Sequence, residues 1–80
     1  MRKDEFEKIT NHIKTSVMKA PNMLTLSYQI KYFTEVCYTL HACRIINDLQ
    51  FASLFKSILD NGSDTEERLL KAIQTMEGNL

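Results

Sequence analysis

Two glycines and one proline are all the conformational punctuation in eighty residues. Sheet folds need frequent turns, and tight turns draw on Gly, Pro and Asn for backbone geometries that other residues resist. So sparse a supply argues against an all-β fold and directs the chain toward helices. The 44% hydrophobic fraction argues against disorder. Eighty residues hold one domain, and at that size a core is barely self-sufficient. The expectation is an all-α domain over residues 1–80, a small three- or four-helix bundle that is dimeric.

Periodicity places the helices at about 4–20, 25–46, 48–60 and 63–77. In the first, Phe6, Ile9, Ile13, Val17 and Ala20 recur at spacings of 3, 4, 4 and 3, behind an Asp4–Glu7 capping box. Pro21 disfavours α geometry at Ala20 and ends it. Asn22 or Thr25 caps the second helix. Its Leu26, Ile30, Phe33, Cys37 and Leu40 form one apolar arc, widened by Tyr32, Val36 and Cys43, while Tyr38, Ala42 and Ile45 make a stripe on roughly the opposite side. A helix apolar on two sides is expected to be central or buried in an oligomer. Asn47 and Gln50 read as a capping pair that breaks the chain near residue 47. The alternative, one helix from 25 to 59, is about 52 Å long, which is long for so small a domain. Asp60-Asn61-Gly62 reads as a second break with Gly62 or Asn61 in the left-handed conformation, and Ser63 with Glu66 as the cap of a last helix carrying Leu69, Ile73, Met76 and Leu80.

Charge and cysteine usage narrow the setting. Residues 1–44 carry seven basic and four acidic side chains and residues 45–80 three and six, a balance of +3 against −3 within a neutral chain. Neither half is basic enough for a nucleic-acid footprint. Cys37 and Cys43 lie about 120° apart on a helix, too divergent to bridge, and read as two buried thiols in a reducing compartment. Five of the first seven residues are charged where a leader would need an apolar run to follow, and the apolar run 36–46 is too short to span a bilayer. A cytoplasmic protein that does not enter membranes is expected.

No motif announces chemistry. Cys37 and His41 stand one helical turn apart, half of a zinc site or of a thiolate–imidazole dyad, without the CxxC or HxxxH partners that would complete a site. Asp60 to Asp64 looks like the start of a calcium loop, but Gly62 is third and Lys71 twelfth where the loop needs Gly at six and Glu at twelve. Residues 48–76 make a loose helix–turn–helix whose second helix opens Asp64-Thr65-Glu66-Glu67, a sequence that repels phosphate. Catalytic, cofactor and metal residues are therefore expected to be none.

What remains is surface. Tyr28 and Tyr38 fall outside the main arc, and tyrosines suit interfaces because they bring area at low entropic cost. With Ala42 and Ile45 they form the expected partner interface. The expected function is a small non-enzymatic regulator or adaptor of the kind bacteria and phages encode, an anti-activator, inhibitor, immunity protein or chaperone. It would act by covering another protein, its partners being that protein and a second copy of itself. The alternative is a nucleic-acid-associated transcriptional regulator using the basic first helix, with Arg2, Lys3, Lys8, Lys14 and Lys19.

Overall fold

Two asparagines decide where two of the helices begin. In a computed structural model, which describes residues 1–78, the chain forms α1 (Lys3–Met18), α2 (Met23–Ala42) and α3 (Asp48–Gly78). Asn22 caps α2, its side chain accepting from the Thr25 amide at 2.8 Å, so Thr25 lies inside the helix and does not start it. Asn47 does the same for α3 and is answered. The Gln50 amide donates to Asn47 Oδ1 at 2.8 Å, and the Asn47 amide donates to Gln50 Oε1 at 3.0 Å. This reciprocal box satisfies two amides that a helix start leaves orphaned. Residues 25–59 are thus two helices, as the capping pair implies. At α1 the expected Asp4 cap is replaced by Arg2, which makes no side-chain cap. Asp4 sits within the first turn, where its charge suits the helix dipole.

The turn between α2 and α3 is closed by Arg44 in the left-handed conformation at φ 59°. The Arg44 amide donates to His41 O at 3.0 Å, and the Ile45 amide reaches back to Leu40 O at 2.9 Å. That is a Schellman closure with arginine where glycine is usual. It turns Ile46 into the core, where it is 2% exposed, and ends α2 four residues earlier than the periodicity predicts.

The expected break at Asp60-Asn61-Gly62 does not occur. α3 runs unbroken for 31 residues, so the predicted helices at 48–60 and 63–77 are one, and the bundle has three helices. The reason is tertiary. Gly62 faces α2, and a β-carbon there would stand 2.7 Å from Ile30 Cδ1. The glycine makes room for the Ile30 side chain and does not supply a left-handed cap, and no glycine among the described residues has positive φ. Asn61, the other candidate for that cap, has its amide donating to Ser57 O at 2.7 Å, one turn back along the helix.

α3 is also the central helix, where the sequence expects α2 to be central or buried in an oligomer. Both α1 and α2 pack chiefly on α3 and touch each other far less. Leu54, Ile58, Gly62, Thr65 and Leu69 form its buried stripe, against Ile13 and Val17 of α1 and Leu26 and Cys37 of α2. The inward arc of α2 is the one predicted, but Tyr32 and Cys43, taken to widen it, are exposed.

A left-handed arginine costs about 1 kcal/mol relative to glycine. Arg44→Gly should therefore raise the unfolding free energy by about 0.5–1 kcal/mol, seen as a higher urea midpoint at unchanged slope. A lower midpoint would contradict the closure described.

Candidate interaction surface

α3 outlasts the bundle. Its Arg68 guanidinium donates to Met18 O at 3.0 Å and reaches Ala20 O at 3.4 Å, which fixes the α1–α2 turn beside residue 68. Beyond that level no other helix among the described residues covers α3, yet the helix continues to Gly78. Its buried face continues too. Leu54, Ile58, Gly62, Thr65 and Leu69 are spaced 4, 4, 3 and 4, and Ile73 and Met76 extend the row by 4 and 3. Ile73 is 42% and Met76 69% exposed. The core stripe simply runs out into the open.

Beside it the α1–α2 turn supplies a second apolar wall. Pro21, Met23 and Leu24 face Leu69, Ile73 and Met76 across an open groove of about 500 Å³. Leu24 is 67% exposed. Tyr28, one turn further along α2, is exposed as well. The groove is apolar on both sides, which suits hydrophobic docking, and it holds no group suited to acid–base work.

The four residues expected to form one interface do not lie together. Tyr28 stands near the groove end of α2. Tyr38 lies over α3, its ring 5.4 Å from Phe51 and 5.8 Å from Phe55, so it is half structural. Ala42 and Ile45 sit at the far end of the bundle with Leu49, which is exposed. Leu24, Ile73 and Met76 went unnoticed as surface residues. For Ile73 and Met76 the signal is the unbroken 4-4-3-4-4-3 spacing across Gly62, hidden by reading Asp60-Asn61-Gly62 as a turn; no spacing marks Leu24.

The far end is more polar. His41, Arg44, Ile45, Asn47 and Asp48 border an open hollow of about 590 Å³. The His41 ring stacks on Phe51 at 4.4 Å, with Nε2 2.8 Å from Asp48 Oδ1. This contact ties the end of α2 to the start of α3. Cys37 is turned inward instead, its thiol 3.8 Å from Phe51 O, so thiol and imidazole have separate partners. Among the described residues no three His, Cys, Asp or Glu side chains converge as metal ligands. No described helix is long and apolar enough to cross a membrane.

The basic residues of α1 do not make one face. At about 100° per residue, Lys3 and Lys14 share one side and Lys8 and Lys19 another, with Asp4 and Glu7 between them. Arg2 is engaged by Glu5 at 2.6 Å.

No family model matches the chain, and no curated protein or solved structure matches it.

The two cysteines differ. Cys37 is buried and Cys43 exposed, where the sequence implied two buried thiols, because α2 ends at Ala42 and leaves Cys43 in the turn. Burial pushes the Cys37 thiol above its ordinary 9.0. The fold thus favours the neutral thiol, and that contribution to stability is present below 9.0 and declines as pH rises past it. A thiol reagent should modify Cys43 at once in the native protein and Cys37 only on unfolding. Rapid modification of both would contradict the packing of Cys37.

Proposed function

We propose that the protein is a small non-enzymatic regulator or adaptor, dimeric and cytoplasmic, that acts by laying an apolar surface against another protein. The observation that carries this reading is the uncovered end of α3. A helical stripe that is core over Leu54–Leu69 and then continues exposed through Ile73 and Met76 is an unfinished core. Water is a poor partner for it, and isolated helical segments of this length are marginal without packing. A protein surface that completes the core accounts for both the stripe and the groove beside it. An anti-activator, inhibitor, immunity protein or small chaperone would each use such a surface to occlude a site on its target. The two unpaired cysteines agree with a reducing, cytoplasmic setting.

The nucleic-acid alternative draws less support. The lysines of α1 are split by Asp4 and Glu7, so few of them could follow one phosphate backbone together. A catalytic role for Cys37 and His41 is opposed by the inward thiol and by the engagement of His41 with Asp48.

Affinity capture from nuclease-treated lysate of the host tests the reading. The wild-type chain should retain a stoichiometric protein partner, and Ile73→Asp should lose it by about tenfold or more while keeping the circular dichroism of a folded bundle. Undiminished capture by the variant, or recovery of no protein partner by the wild type, would overturn it.

A further inference from the structure

We propose that the occupant of the α3 groove is a second copy of this chain, the two copies pairing antiparallel about a two-fold axis near Ile73. This rests on the reading of the uncovered stripe as an interaction surface and names what covers it.

The first argument is area. A folded monomer of 9.3 kDa ordinarily exposes about 5000 Å²; this chain exposes 5877 Å². The excess, about 900 Å², is close to the roughly 800 Å² that each partner contributes to a standard stable interface. The shape says where the excess lies. The molecule measures 51 × 20 × 15 Å with a radius of gyration of 14.6 Å, against about 12 Å for a compact chain of this length. The long dimension is that of α3, which extends past its neighbours.

The second argument is self-complementarity. An unpaired apolar helix would cover the groove walled by Pro21, Met23 and Leu24 on one side and Leu69, Ile73 and Met76 on the other. The chain owns one such helix, the end of α3 itself. A two-fold pairing lets each copy supply the groove and the helix that fills it, and such an interface closes on itself without propagating. Ile73 meets its own counterpart, and Met76 of one copy reaches the level of Leu69 and the α1–α2 turn of the other. The formal net charge of zero removes the self-repulsion that keeps charged proteins apart. The second copy holds the groove in the free protein and gives it up to the target, so Ile73→Asp loses both.

Sedimentation equilibrium of the purified chain at micromolar concentration is the test. The wild type should have twice the 9.3 kDa chain mass, and both Ile73→Asp and Met76→Asp should be monomeric with the bundle folded. In a Cys43→Ser background, Ile73→Cys should form an intermolecular disulfide under mild oxidation and Met76→Cys should not, because antiparallel pairing carries position 76 away from its counterpart. A monomeric wild type, a dimer indifferent to Ile73→Asp, or equal cross-linking at both positions would each overturn the proposal. A monomer that still captures another protein through Ile73 would sink the dimer and leave the stripe standing as a docking surface for that protein. A dimer that captures no other protein would do the reverse.

Discussion

Leu54, Ile58, Gly62, Thr65 and Leu69 form the one surface that both other helices need. α1 and α2 touch each other little, so the bundle is two helices laid separately along a third. At Gly62, α2 places the Ile30 side chain in the space a β-carbon would take. Glycine in a helix interior costs about 1 kcal/mol of helix propensity. Here the cost is offset by packing that a larger residue would hold apart. With the middle of α3 secured, the helix has no reason to stop at Asn61, and its length creates the exposed end on which the functional reading rests.

Much of the local structure was legible because it is written in short-range chemistry. Asn47 and Gln50 bond each other's amides as their spacing implies. Pro21 ends α1, although the helix stops two residues before Ala20. The arc Leu26, Ile30, Phe33, Cys37 and Leu40 does face the core. In each case the information sits within one or two helical turns, where propensity and capping act.

What was not legible is what distant residues decide. Asp60-Asn61-Gly62 has the composition of a turn, and only Ile30, thirty-two positions away, gives Gly62 another purpose. Reading a break there also severed the row from Leu54 to Met76 into two short stripes, which concealed the overhang. The central place of α3 was hidden behind the two-sided α2 for a related reason. Its second stripe is partly spent on covering α3, through Tyr38 against Phe51 and Phe55, and partly stranded in the turn beyond Ala42. Leu80, expected to extend the α3 row, lies outside the described residues.

The continuity of α3 through Gly62 is the claim from which the fold and the surface both follow. Amide hydrogen exchange of the native protein, resolved by residue, reads it directly. A continuous helix buried at Gly62 and Thr65 predicts that the amides of residues 61–65 are protected to the same degree as those of Leu54 and Ile58, since all open only with the bundle. Exchange at 61–63 as fast as that of the α1–α2 turn would mean two helices joined by a loop, and would contradict the account.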